Sequence, residues 1–173
     1  MFSSRGEEHF DQAIFACHSD QALRLLADAT EQERTVLGAI AYRDNEVVLH
    51  TDENLLPKRR RTWSSWNYRL SNEADQPPVL TYNMNILQGL KCPQTFCVTL
   101  NATSSIAQEK ILGSYSYAHP VFTLDAIKAQ NLWHTISGVH KTWFCGAYWF
   151  NGFHEDGVKS AIRVATGLGV GWV

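Results

Sequence analysis

The pattern of apolar and polar positions divides the chain into three textures. The first is an apolar run from Phe10 to Cys17, continuous enough to predict a strand buried on both faces. A helix follows it, with Ser19 or Asp20 placed to cap it and Ala22, Leu23, Leu25 and Leu26 on one apolar side. Thr30 with Glu33 forms a capping box, which predicts a second helix through Leu37. From residue 39 the texture becomes β-branched and aromatic, and strands are expected at 39–42, 46–50, 62–68, 80–84 and 96–100. The dipeptides Asp44-Asn45, Pro57-Lys58 and Pro77-Pro78 mark turns between them. The third texture predicts a helix over 124–130, a strand over 132–136, a strand over 141–149, a glycine-bearing turn over 150–154 and a helix over 155–165.

Together these elements define an α+β fold: a mixed, largely antiparallel sheet flanked by helices and ending in a strand-turn-helix. Three segments follow, 1–38, 39–138 and 139–173, read as one compact unit. In the middle segment, the alternation of Trp63, Trp66 and Tyr68 and the polar Thr81, Asn83 and Asn85 between apolar residues predict a sheet with one covered face. The other face would line a pocket.

Length and composition narrow the function. At 173 residues and 45 % hydrophobic, the chain has material for a packed core. A net charge of -2 gives no overall field for nucleic acid or an anionic membrane, so neither is expected as a partner. The run Lys58-Arg59-Arg60-Arg61 is the local exception; it reads as a solvated loop, with phosphate, lipid headgroups or a carboxylate surface as the alternatives. Cys17, Cys92, Cys97 and Cys145 lack paired spacings, which points to reduced thiols and a cytoplasmic protein. No stretch reaches the roughly 18 apolar residues of a membrane helix, and residues 1–8 lack an apolar signal core.

The chemistry concentrates near the C-terminus. A strand, a glycine-bearing turn and a helix start present amides without helical partners at the positive end of the helix dipole, a device for holding an electron-rich ligand. Gly152 and Gly157 let the backbone approach such a ligand, while Glu155 and Asp156 suit the dipole equally well as an ordinary cap.

The stretch Trp143-Phe144-Cys145-Gly146-Ala147-Tyr148-Trp149-Phe150-Asn151-Gly152-Phe153-His154-Glu155-Asp156-Gly157-Val158 resembles the C-terminal flavin motif of flavin-containing amine oxidases. Residues 10–26 resemble the strand leading out of that family's flavin domain. Residues 44–52, 55–57, 63–68 and 81–85 resemble a branch of amine-oxidase-like proteins. The resemblance implies a flavin-dependent oxidoreductase that removes a hydride equivalent from a carbon of a small-molecule substrate. It implies FAD contacts at Gly146, Tyr148, Trp149, Gly152, Phe153, His154, Glu155, Asp156, Gly157 and Val158, with the amides of residues 154–158 as donors to the ring. Trp66, Tyr68, Tyr82 and Asn83 are candidates for the substrate wall, with core packing as the alternative. No catalytic residue and no metal site is assigned.

Two departures bear on this. The family's Gly-x-Gly-x-x-Gly turn is absent from these 173 residues, so flavin is expected in an intact protein and weakly or not at all in this chain. Ala147 and Tyr148 stand where the family often has an acidic residue. The chain therefore reads as a C-terminal portion that lacks an N-terminal FAD-binding segment as partner, with self-association covering the apolar surface left open. The competing class is a non-catalytic binding or assembly module. Cys17-His18-Ser19-Asp20 invites a hydrolase reading, but neighbouring strand residues face opposite ways and Ser19 or Asp20 serves as a cap. Cys92 and Cys97 lack zinc-site spacing and read as strand-edge thiols, and His119 and His134 as structural or pocket histidines.

Overall fold

A computed structural model of the chain describes residues 2, 3, 6–70 and 79–171. The fold is α+β, as the pattern predicts. It divides into two compact units, one of residues 1–43 with 120–173 and the other of residues 44–119. The helix of residues 124–131 thus belongs with the two ends of the chain and not with the β-rich middle. The Pro77-Pro78 turn signal lies outside the described residues.

In the first unit, β1 (Phe2–Ser3) pairs antiparallel with β2 (Gly6–Glu7). The core strand β3 (Ala13–Phe15) pairs in parallel with β9 (Thr142–Phe144), in register Phe15 with Phe144. The run 10–17 is therefore a short strand, and it is not buried on both faces: Ile14 is 52 % exposed on the face opposite to its neighbours Ala13 and Phe15. The α-helices of this unit are α1 (Ser19–Leu25), α2 (Glu31–Gly38), α4 (Leu124–Asn131) and α5 (His154–Gly167). α2 starts as its box predicts: Thr30 Oγ1 accepts from the Glu33 amide at 3.1 Å, and Glu33 Oε2 accepts from the Thr30 amide at 2.7 Å. Such a cap contributes about 1 kcal/mol.

The cap of α1 differs from expectation. It is His18, whose amide donates to Gln21 Oε1, while Ser19 is buried with its amide donating to Tyr42 Oη. Ala22, Val36, Leu37, Ala126, Phe144 and Val164 form the centre of the core. The Trp143 ring packs so closely on Gly138 and Gly167 that a Cβ there would come within 2.9 and 2.4 Å of it. Residues 132–136 are not a strand but contain a 3-10 turn at Trp133–Thr135. There the Trp133 indole donates to the Phe144 carbonyl at 2.7 Å and takes the pairing that a strand would have taken.

The second unit holds a sheet in the order β5 (Trp66–Arg69), β6 (Val79–Asn83), β7 (Cys97–Leu100), β4 (Ala41–His50), β8 (Ile111–Val121). The two strands expected at 39–42 and 46–50 are one, β4. Part of the strand expected at 62–68 is a 3-10 turn at Arg60–Thr62, and 115–120 lies in β8, for which the pattern carries no signal. The short helix α3 (Met84–Gln88) interrupts the chain after β6.

The register rows show which face is covered. Asn67, Thr81, Thr99 and Val48 lie in one row and Asn83, Cys97 and His50 in another, and all are buried. The covered face is thus the polar one. It is satisfied internally: His50 Nδ1 accepts from the Asp52 amide at 3.0 Å, which leaves Nε2–H to donate to Thr99 Oγ1 at 2.7 Å, and Thr99 and Thr81 hydroxyls join at 2.8 Å. Asp52 in turn accepts from the Asn54 and Ala107 amides and from Lys110 at 3.1 Å.

This network carries a pH dependence. Burial holds the His50 imidazole below its ordinary 6.5, with Lys110 acting the same way and Asp52 opposing. Burial would raise Asp52, but the two amides and Lys110 outweigh it and hold the carboxyl below its ordinary 3.8. The unfolded chain therefore binds the proton more readily at both groups, so their stabilisation is present at higher pH and lost as pH falls. The expected outcome is a denaturation midpoint that declines from pH about 7 to about 5, a slope that His50→Gln flattens. An unchanged slope in that variant would contradict the assignment.

Candidate functional site

The C-terminal motif is built by three side chains, Ser160, Gln130 and Asp156, that fix an irregular backbone. β9 ends at Phe144, and Gly146 follows with its amide donating to Ser160 Oγ of α5 at 2.8 Å. A Cβ at Gly146 would fall 2.3 Å from the Tyr148 ring, so the close seat of that ring requires glycine. The strand expected over 141–149 thus stops early, and Ala147–Trp149 form a 3-10 turn. Gln130 of α4 holds this turn by donating from Nε2 to the carbonyls of Tyr148 at 2.9 Å and Phe150 at 2.6 Å. Gly152, at φ +88°, reverses the chain. Asp156 Oδ2 then accepts from the amides of Asn151 and Phe153, both at 3.1 Å.

This arrangement sorts the sequence candidates. Asn151, Gly152, Phe153, His154 and Glu155 are exposed at the helix start. Of the amides 154–158 expected as donors, those of Asp156 and Gly157 are already spent on the Phe153 carbonyl, and Val158 lies a full turn inside α5. Only the His154 and Glu155 amides carry no hydrogen bond among the described residues. Two donors, not five, face solvent at the positive end of a 14-residue helix. Glu155 and Asp156 place negative charge in the first turn, Asp156 with Lys159 3.9 Å away. That charge disfavours a phosphate here and leaves a neutral electron-rich edge as the fitting ligand chemistry.

Tyr148 and Trp149 are not at the surface. They are 4 % and 2 % exposed, with ring centroids 5.0 Å apart, inside the core of the first unit. Among the described residues, the Tyr148 hydroxyl and the Trp149 indole N–H have no hydrogen-bond partner. The indole lies near enough to the phenol to ease its ionisation slightly, but without the alignment of a hydrogen bond. Burial nonetheless raises the Tyr148 phenol far above its ordinary value, with Tyr42 and the thiols of Cys17 and Cys145 adding to it, so it stays neutral.

In the second unit, Trp66, Tyr68 and Tyr82 share the open face of the sheet. Trp66 and Tyr68 are 49 % and 60 % exposed, and Trp66 meets Tyr82 edge to face at 5.5 Å. Asn83 does not join them: it sits buried on the covered face and caps α3, its Oδ1 accepting from the Ile86 amide. Burial acts on three of the four thiols, those of Cys17, Cys97 and Cys145. Burial and then Asp20 raise Cys17, and burial pushes Cys97 up to about 11, at the buried start of the central strand β7 and not at a strand edge. Cys92 is exposed outside any strand. His119 Nδ1 lies 3.1 Å from Asn45 Nδ2, and His134 is exposed in its 3-10 turn. Sequence reasoning missed Gln130 and Ser160, for which no spacing gives a signal, whereas the capping reading of Asp156 agrees with its bonds to the Asn151 and Phe153 amides.

No protein-family model matches the chain, and no curated protein matches it. Among the described residues no helix is long and apolar enough to cross a membrane.

The unpartnered Tyr148 hydroxyl yields a test. A buried hydroxyl without a partner costs about 1–3 kcal/mol, so Tyr148→Phe is expected to leave urea stability unchanged or raise it by up to about 1 kcal/mol. A loss of more than about 1 kcal/mol would mean that the hydroxyl is satisfied.

Proposed function

We propose that this chain contributes the C-terminal part of a flavin-binding site in an oxidoreductase of the amine-oxidase type. The observation that carries the reading is the pair of unbonded amides, His154 and Glu155, at the start of α5, presented by a turn that Asp156, Gln130 and Ser160 fix in place. Support also comes from the parallel pair β3 and β9, whose C-terminal ends both lead into helix starts, the end of a parallel sheet where ligands collect. The residues fit an electron-rich ring edge, and the unsatisfied polar atoms of Tyr148 and Trp149 mark the same segment as one that would gain from a further polar group.

When bound, the flavin supplies the hydride-accepting ring. The chain's own contribution is to orient that ring and to stabilise the charge on its electron-rich edge through the two amides and the helix dipole. The open face bearing Trp66, Tyr68 and Tyr82 offers aromatic surface to an apolar part of a small-molecule substrate. The exposed edge of β3, with Phe10, Ile14 and Leu25 exposed around it, supports docking of an FAD-binding segment or of a second copy.

A second reading, a non-catalytic binding module, is favoured by one observation: Asp156 already caps the turn, and Tyr148 and Trp149 fill the core without a ligand.

The test removes one amide without breaking the helix. His154 is the first residue of α5, where proline is tolerated, and Phe153 before it has the extended backbone that proline requires, φ -82° and ψ 161°. Titration with lumiflavin, followed by ring fluorescence, is expected to saturate, and His154→Pro is expected to weaken it about three- to tenfold at unchanged thermal stability. Absence of saturable binding, or equal binding by the variant, would favour the non-catalytic module.

A further inference from the structure

We propose that the cleft beside residues 54–58 and β5 is a binding site for a phosphate group carried on a small organic molecule. The cleft measures about 480 Å3, a size suited to a small ligand. Leu55, Leu56, Lys58 and Arg69 are among the residues that line it, and no carboxylate does so among the described residues.

The basic run is solvent-exposed, as the sequence predicts, but its backbone is held in place. The Trp63 indole donates to the Pro57 carbonyl at 2.8 Å, and Thr62 donates to the Arg59 carbonyl through both its amide and its hydroxyl. The four cations are therefore carried on a backbone fixed by two successive 3-10 turns, Glu53–Leu55 and Arg60–Thr62.

Of these cations, Arg60 is the one with an ion pair among the described residues. It meets Glu53 at 2.8 Å and lies over the Trp63 ring at 5.0 Å, while Glu53 also accepts from the Thr95 hydroxyl at 2.6 Å. Lys58, Arg59, Arg61 and Arg69 have no ion pair among the described residues. Lys58 and Arg69 thus bring two positive charges, without an ion pair among the described residues, to one cleft in a chain whose net charge is -2, and Arg59 and Arg61 follow Lys58 on the same run.

A doubly charged phosphate answers that concentration of charge, with arginine supplying a planar fork of donors. A concave cleft with leucines in its wall suits a soluble organic phosphate better than a flat bilayer surface. The lining backbone carries no glycine-rich phosphate loop, so the recognition rests on side chains. The proposal does not depend on the flavin reading, which concerns the other unit.

Isothermal titration calorimetry of the whole chain at low ionic strength, with phenyl phosphate, inorganic pyrophosphate and neutral benzyl alcohol as probes, tests it. The expected result is saturable 1:1 binding of phenyl phosphate, displaced by pyrophosphate, and no binding of benzyl alcohol. Lys58→Gln combined with Arg69→Gln is expected to weaken phenyl phosphate about tenfold or more. Lys128→Gln, which removes an exposed charge in the other unit, is expected to leave it unchanged. Both altered side chains are exposed, so an unaltered circular dichroism spectrum is expected. No saturable heat with either phosphate in the wild-type chain would overturn the proposal, as would equal affinity in the double variant. Sedimentation with phosphatidylcholine–phosphatidylserine vesicles in the absence of phenyl phosphate binding would overturn it in favour of a lipid surface.

Discussion

The parallel pairing of β3 with β9 is the constraint on which the first unit depends. It joins residues 13–15 to residues 142–144, so the unit closes only when the two ends of the chain meet. Loop-closure entropy opposes such a contact. What offsets it is burial of Phe144, Val36, Leu37 and Ile136 together with hydrogen bonds that lie deep in the core, such as Trp133 to the Phe144 carbonyl. The turn after β9 inherits its position from that strand, and Gln130, Ser160 and Asp156 then hold it from three sides. The exposed amides of His154 and Glu155 are the consequence: when Asp156 caps the turn residues Asn151 and Phe153, the next two donors are left facing outward.

The second unit follows a different rule. Its sheet buries polar side chains beside Val48 and Val79 and leaves Trp66 and Tyr68 exposed on the other face. Burying those polar groups is tolerable because every step of the chain from Asp52 through His50 and Thr99 to Thr81 is hydrogen-bonded. The same loop that satisfies His50 also leads into the cation-bearing turns, so the covered face and the basic cleft share one structural support.

Much of this was legible in residue patterns, and the failures have identifiable causes. Capping chemistry is local, so Thr30 with Glu33 and the long amphipathic run of α5 could be read directly. Residues 132–136 look like a strand because Trp133, Thr135 and Ile136 favour one, but the indole of Trp133 is needed by a carbonyl far along the chain. β8 was invisible since Ser114, Tyr115, Ser116 and Tyr117 give no buried periodicity; all four positions are exposed. The alternation around Trp66 and Thr81 correctly indicated two unlike faces, but which one is covered depends on His50 and Asp52, whose partnership is tertiary. At the candidate site, the glycines and the helix start were legible, whereas the close seat of the Tyr148 ring on Gly146 could not be read from spacing.

Residue-resolved amide hydrogen exchange, with and without lumiflavin, tests the central claim most directly. The account predicts slow exchange at Cys145, whose amide donates to the Phe15 carbonyl across the strand pair, fast exchange at His154 and Glu155, and slowing of those two alone when lumiflavin is added. Fast exchange at Cys145, or protection of His154 and Glu155 already in the free chain, would contradict it.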